Sequence, residues 1–291
     1  MTQIEQSIVV SEEWQRIDRS MLQGLIMVIG APDVGKSSFA RWLLQQLESE
    51  RTGRLAFLDG DPGQSVLGPP TTLTLAIIKA GKRGLPCLDN TLRRFVGSTT
   101  PQGRMMSHLV GVARLVEAAH SEGADAIVHD TTGLVGLAGG GVTLKLAKLD
   151  LLRPQTVIAI QRSRELEPLL RYLKHRGRTR LIELPCSTSA SRRNPSARRR
   201  HRVELFARYF AGAEALEFET SQTAVISQRR IHPNQLVSME ESNGFVIALG
   251  VAADDGRMVK IITPLRETAG VERIRCGDLV VDPGTGMHWF R

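Results

Sequence analysis

Aromatic side chains are scarce in this chain. Phe, Trp and Tyr make up 4% of the 291 residues, and only two are Tyr. That argues against a surface built mainly on ring stacking. Cysteine is scarcer still. Cys87, Cys186 and Cys276 stand far apart, which excludes a disulfide framework and a cysteine-based metal site and fits a reducing cytoplasm. No apolar run approaches the ~20 residues that cross a bilayer. The stretch 1–20 is too polar for a secretory signal, so a cytoplasmic protein with no membrane partner is expected. There is no internal repeat and no long low-complexity tract.

Charge is plentiful but uneven. The net charge is +8, yet eleven of the 38 basic residues lie between Arg171 and Arg202, against the single acid Glu183. The remainder holds 27 basic and 29 acidic residues, a net of −2. One local basic patch points to a polyanionic partner more than a general surface bias would.

The chain is organised around Gly30-Ala31-Pro32-Asp33-Val34-Gly35-Lys36-Ser37-Ser38, which has the spacing G-x-x-x-x-G-K-S. The apolar run Leu25–Ile29 ahead of it reads as a buried strand, and a helix with apolar Phe39, Trp42, Leu43 and Leu47 follows over roughly 36–48. In that context the glycines let successive backbone N–H groups turn inward onto an anion, and the helix adds the positive end of its dipole. The loop is expected to cradle a nucleoside triphosphate, with Lys36 on the β- and γ-phosphates and the Ser37 hydroxyl on Mg²⁺.

Strands are expected at 54–58, 94–96, 126–129, 156–160 and 180–184. Helices are expected at 12–21, 104–121, from the Gly-rich turn 136–141 to Leu151, 164–175 and 196–210. The Pro/Thr-rich connection 69–72 leads into a region read as irregular. From about Thr223, short alternating runs are separated by Asn243-Gly244, Asp255-Gly256 and Gly284. The expected fold is therefore α/β: a P-loop NTPase parallel sheet with helices on both faces, plus a small C-terminal antiparallel β domain. The expected division is a lead-in at 1–24, a P-loop domain at 25–215 with an Arg-rich lid at about 192–210, and the β domain at 223–291.

Further polar groups collect at predicted strand ends, where ligands of such sheets bind. Asp59-Gly60-Asp61-Pro62-Gly63-Gln64 carries two acids one residue apart. They could divide labour, Asp59 orienting a metal-bound water and Asp61 accepting a proton from a hydroxyl; an ordinary turn is the alternative. Asp130, before Thr131-Thr132-Gly133, is another Mg²⁺-shell group, a γ-phosphate sensor or a turn cap. Ser98-Thr99-Thr100-Pro101 either holds a substrate phosphate or caps the next helix. Arg198 and Arg202 are four apart on one face of the basic helix, fit either for a lid on transferring phosphate or for a solvated face. Tyr209 and Phe210 read as anchors of that helix.

Taken in order, these motifs resemble the polynucleotide 5′-hydroxyl kinases of the RNA-processing P-loop family, in a short prokaryotic-type form. The C-terminal stretch 234–291, with Gly244-Phe245, Ala248-Leu249-Gly250 and Ile262-Thr263-Pro264, is similar to the family's small β domain. The resemblance implies transfer of the γ-phosphate of ATP, with Mg²⁺, to the 5′-OH end of RNA or DNA. It implies Lys36, Asp61, Arg198 and Arg202 as catalytic residues and Ser37 and Asp59 around the metal, to which the strand-end reading above adds Asp130. Gln64, Thr99 and Thr100 would then lie on the substrate. Two positions depart from the pattern. Leu134 stands where members often place a base-stacking Trp, and Asp130 where they place Asn. Two other readings use the same loop: an ATP-driven switch that transfers nothing, and a kinase of a small molecule.

Overall fold

A computed structural model of the chain describes residues 8–79, 91–187, 190, 194–219, 221, 223–227, 231–255 and 258–291. Cys87, Arg192 and Arg193 lie outside them. The chain forms two compact units. One comprises Met1–Asp61, Leu75–Thr91 and Val112–Arg193; the other comprises Pro62–Thr74, Leu92–Gly111 and Asn194–Arg291.

The elements follow one another as α1 (Glu12–Gln15), β1 (Gly24–Gly30), α2 (Lys36–Glu50), β2 (Arg54–Gly60), β3 (Thr72–Lys79), β4 (Thr91–Phe95), α3 (Met105–Ser121), β5 (Ala124–Thr131), α4 (Gly141–Leu152), β6 (Thr156–Gln161), α5 (Glu167–Arg176), β7 (Arg180–Pro185) and α6 (Pro195–Tyr209). Strands β8 (Glu214–Glu219), β9 (Ala224–Ile226), β10 (Gln235–Glu240), β11 (Val246–Asp255), β12 (Met258–Thr263), β13 (Arg273–Val281) and β14 (His288–Phe290) complete it.

The first sheet runs β4-β3-β2-β5-β1-β6-β7. Strands β2, β5, β1, β6 and β7 pair in parallel. Parallel strands need crossover helices, and those helices bury both faces. Met27, Ile29, Val157 and Ala159 accordingly pack with Val142 and Leu149 of α4 and with Leu169, Leu170 and Leu173 of α5. Strand alternation puts Ile26 and Val28 on the other face, and α2 packs on β1, β2 and β5. Ahead of β1, the buried Trp14 ring meets Phe39 at 5.1 Å edge-on and Trp42 at 5.5 Å, fastening the lead-in to α2.

The second sheet runs β14-β13-β10-β11-β12-β8. Its registered pairs are antiparallel except for the short β9, which runs parallel to β13. It takes in β8, ahead of Thr223. One face holds Val237, Met239, Ile261 and Ile274. The other holds Leu236, Leu249, Leu279 and Val281 and packs on Phe206 and Phe210 of α6. The expected α/β class with a second, β-rich part is thus the observed one.

Three local expectations need correction. Residues 72–79, read as the start of an irregular region, form β3. The run Thr72-Leu73-Thr74-Leu75-Ala76 is buried on both sides, so no exposed polar face announced a strand behind Pro69-Pro70. The helix expected over 12–21 is a single turn, α1, followed by a 3₁₀ turn at Arg19–Met21, because the Asp18 carboxylate accepts the Ser20 N–H and starts that turn anew. The helix expected from 164 begins at Glu167: the Glu165 carboxylate accepts the N–H groups of Arg162 and Ser163 at 2.8 and 2.9 Å, closing a turn of its own. Among the described residues no helix is long and apolar enough to cross a membrane.

One carboxylate anchors the second sheet. Glu240 is 1% exposed and accepts from Arg273 Nε at 3.0 Å, Arg275 Nη2 at 2.7 Å and Ser238 Oγ at 2.8 Å. Truncating one member of such a network leaves the others desolvated and unpaired. We expect Glu240→Ala to lower unfolding stability by about 3 kcal/mol in a urea titration. A loss below about 1 kcal/mol would show that both guanidinium groups simply return to water.

Candidate phosphate-binding site

Strand β1 is buried from Leu25 onward and ends at Gly30, where the chain turns through the loop into α2. A side chain at Gly30 would put its Cβ 2.5 Å from the Ile160 carbonyl oxygen, so the loop can only leave the strand this closely as glycine. Gly35, at φ 95°, and Asp33, at φ 58°, take the left-handed conformation that curls a loop around an anion. No side chain caps α2, whose first residue is Lys36. Lys36 is 6% exposed, and its Nζ donates to the Ala31 carbonyl at 2.6 Å, back across the loop.

Sheet register brings the acids to this loop. Asp59 near the end of β2 is paired with Asp130 of β5, and Asp130 is paired with Val28 of β1, two residues before Gly30. Asp59 and Asp130 are 1% and 2% exposed. Asp61 turns back over this pair, its N–H 3.4 Å from Asp59 Oδ1. Burial pushes the Asp130 carboxyl up to about 7; Lys36 and a hydrogen bond from Ser37 oppose the rise, and Asp59 and Asp61 add to it. Asp130 Oδ1 is buried with no hydrogen-bond partner.

Three more polar groups lie behind the acids, and the sequence reading missed them. Lys145 and Lys148 on α4 and His129 on β5 are fully buried. Lys145 Nζ donates to Thr131 Oγ1 at 2.7 Å and to the Thr132 carbonyl at 2.8 Å. Thr131 Oγ1 in turn donates to the Val28 carbonyl at 2.7 Å. This chain of bonds ties the turn after β5 to the strand that carries the loop. Lys148 Nζ lies 3.3 Å from His129 Nε2, whose other nitrogen faces the Leu58 carbonyl at 3.3 Å. Burial lowers all three, Lys148 to about 7 and Lys145 and His129 well below their ordinary values. The available signal was a lysine pair three apart, on one face of an otherwise apolar helix.

The structure therefore brings together Lys36, Ser37, Asp59, Asp61 and Asp130. The other candidates belong to the second unit. Gln64 Nε2 donates to the Gly63 carbonyl at 2.6 Å. Thr99 and Thr100 are half-buried and precede the turn 101–104, so they sit ahead of α3 rather than in its first turn. Arg198 and Arg202 are half-buried on α6, which is capped by Asn194 Oδ1 accepting the Ala197 N–H at 2.7 Å. Arg202 Nε donates to His288 Nε2 at 3.1 Å. Tyr209 and Phe210 are anchors: the Tyr209 hydroxyl accepts the Leu249 N–H at 2.8 Å, and Phe210 is 3% exposed.

A glycine-bounded loop between a central parallel strand and a helix, with carboxylates at the ends of neighbouring strands, defines a P-loop protein of the α/β class. The chain belongs to the CLP1 P-loop family: the model described as "mRNA cleavage and polyadenylation factor CLP1 P-loop" matches residues 30–212. It is similar to a protein of Thermococcus kodakarensis named polyribonucleotide 5′-hydroxyl-kinase, 33% identical over 232 residues, 77% of this chain and 64% of that one. A protein of the same name from Pyrococcus furiosus is 31% identical over 217 residues, 75% of this chain and 59% of that one. The chain thus spans about six-tenths of the length of these curated relatives. The solved complex of Clp1p with a Pcf11p fragment shares the fold at a TM-score of 0.65 and 10% identity, over 87% of this chain and 74% of that one.

Proposed function

We propose that the protein is an ATP- and Mg²⁺-dependent polynucleotide 5′-hydroxyl kinase, moving the γ-phosphate of ATP to the 5′-OH end of RNA or DNA. The observation that carries the reading is the gathering of Lys36, Ser37, Asp59, Asp61 and Asp130 around one glycine-built loop. The fit to a nucleotide rests on that cradle and on the uncapped start of α2, both suited to phosphate. The fit to a cation rests on the unpartnered Asp130 oxygen beside the Ser37 hydroxyl. Among the described residues no three acidic, imidazole or thiol groups cluster tightly enough to hold a metal alone. A Mg²⁺ site of one or two carboxylates plus substrate phosphates needs no such cluster. Bound there, Mg²⁺ would neutralise negative charge on the β- and γ-phosphate oxygens.

In this reading the loop, residues 30–38, holds the triphosphate, and Ser37, Asp59 and Asp130 hold the cation shell. Lys36 meets charge on the transferring group, and Asp61 takes the proton of the 5′-hydroxyl. Gln64, Thr99 and Thr100 are assigned to the polynucleotide end. Arg198 and Arg202, on one helix face, are assigned to the phosphoryl charge. Segments 1–24, 25–215 and 223–291 serve as lead-in, kinase domain and small β domain. A cytoplasmic setting fits the three sparse and widely spaced cysteines.

The test offers matched 5′-OH RNA and DNA oligonucleotides with γ-labelled ATP. End-labelled product supports the kinase, and free phosphate alone supports an ATP-driven switch. A polymer substrate should lose affinity with salt at a log–log slope of about −0.7 per contacted phosphate; a flat response supports a small-molecule substrate.

Lys145 gives a sharper check on this site. Lys145→Met keeps the packing but leaves the buried Thr132 carbonyl without its donor, so stability should fall by about 1–3 kcal/mol while the fold is retained. The turn after Asp130 loses its tie, and kcat should fall about 10–100-fold, the range seen when a support behind a metal ligand is removed. Unchanged kcat would make Lys145 a packing residue only.

A further inference from the structure

Ten large apolar side chains are exposed among the described residues, and three of them fall within four positions: Met287, Trp289 and Phe290. Trp289 is 50% and Phe290 57% exposed. Both lie on β14, at one edge of the second sheet. Bare aromatics on an edge strand invite pairing and aggregation unless something covers them.

The helix packed against this strand, α6, is basic. In the β13–β14 register His288 pairs with Val281 and Phe290 with Leu279, so both rings stand on the face that α6 covers. Contact with α6 is close. The His288 ring centre lies 5.4 Å from that of Phe206, and a Cβ at Gly286 would collide with the Val203 carbonyl. Arg199, Arg202 and Phe206 are spaced i, i+3, i+7 along one stripe of α6, and Arg199 and Arg200 are exposed. The only acid in α6 is Glu204. Burial, and then Arg202 and Arg199, lower the pKa of His288, in keeping with an Nε2 that accepts from Arg202.

Exposed guanidinium groups on a helix and an exposed ring on the strand packed against it are the two components of a sequence-tolerant single-strand surface. Phosphates follow the cations, and any base can stack on the ring. We propose that the α6–β14 face binds single-stranded nucleic acid, with phosphates on Arg199 and Arg200 and a base on Phe290. The proposal rests on the reading that the substrate is a polynucleotide, and it adds a second holding point within the second unit. A protein strand added to β14 would not call for the arginines, which favours nucleic acid.

The probe is a single-stranded RNA of about twelve nucleotides that already bears a 5′-phosphate, read by fluorescence anisotropy. Phe290→Ala should weaken its Kd about tenfold, and Phe290→Tyr should retain it. The Arg199→Ala/Arg200→Ala double variant should lower the log–log salt slope by about 1.4. In the transfer assay Phe290→Ala should raise KM for the long 5′-hydroxyl RNA and leave a 5′-hydroxyl dinucleotide unaffected. Wild-type affinity and slope in all variants overturn the surface even where transfer is intact. Weakened binding in a protein that transfers nothing keeps the surface and overturns the kinase. Unchanged RNA binding with loss of a wild-type dimer in Phe290→Ala assigns the face to contact between copies, and overturns the proposal as well.

Discussion

Lys36→Met should leave the protein folded and lower kcat/KM for transfer to a 5′-hydroxyl end by at least about a thousandfold. Methionine preserves the buried stem and deletes only the ammonium group. That group already reaches across the loop to the Ala31 carbonyl at 2.6 Å, on the concave side where phosphate would sit. Phosphoryl transfer asks little covalent chemistry of the protein, so the rate depends on positioning and on charge held in place in advance. A thousandfold loss is about 4 kcal/mol of transition-state stabilisation, the scale of one well-aimed charge in a water-poor site. Steady-state transfer, with circular dichroism and the melting temperature as controls, decides it. A loss of less than about tenfold would mean that Lys36 only braces the loop.

Asp61→Asn should lower kcat by about 10²–10⁴ while ATP binding stays near its wild-type value. The substitution keeps shape and removes only the capacity to take a proton. The assignment turns on position. Asp59 is buried, paired in register with Asp130 and suited to the cation shell. Asp61 is one step further out and half-exposed, where a hydroxyl could meet it. The companion variant separates the two roles. Asp59→Asn should show a raised requirement for Mg²⁺, whereas Asp61→Asn should not be rescued by more metal. Full activity in Asp61→Asn, with loss in Asp59→Asn, moves the base to Asp59.

Much of this site was legible because its signals are local. The loop declares itself through glycines at fixed spacing between an apolar run and a helical repeat, and each of those features is set within a few residues. The acids at 59, 61 and 130 were legible as strand-end residues for the same reason. Less legible was β3, since a strand covered on both faces shows no polar alternation and Pro69-Pro70 speaks for a loop. Lys145 and Lys148 were passed over because lysine in a helix ordinarily points to water. Trp289 and Phe290 were passed over because 4% aromatic content says how many rings there are and not which of them are bare.

The sequence by itself determined the glycine-bounded loop between strand and helix, the alternation of strands and helices, and the local concentration of positive charge. Propensity, spacing and sign of charge act between near neighbours along the chain. Only the tertiary structure decided that Asp59 and Asp130 stand side by side, that two lysines are sealed behind them, and that Phe290 of β14 stands bare on the sheet face that α6 covers. Register, burial and exposure depend on which distant segment comes to cover a residue, and that is fixed by packing across the whole unit.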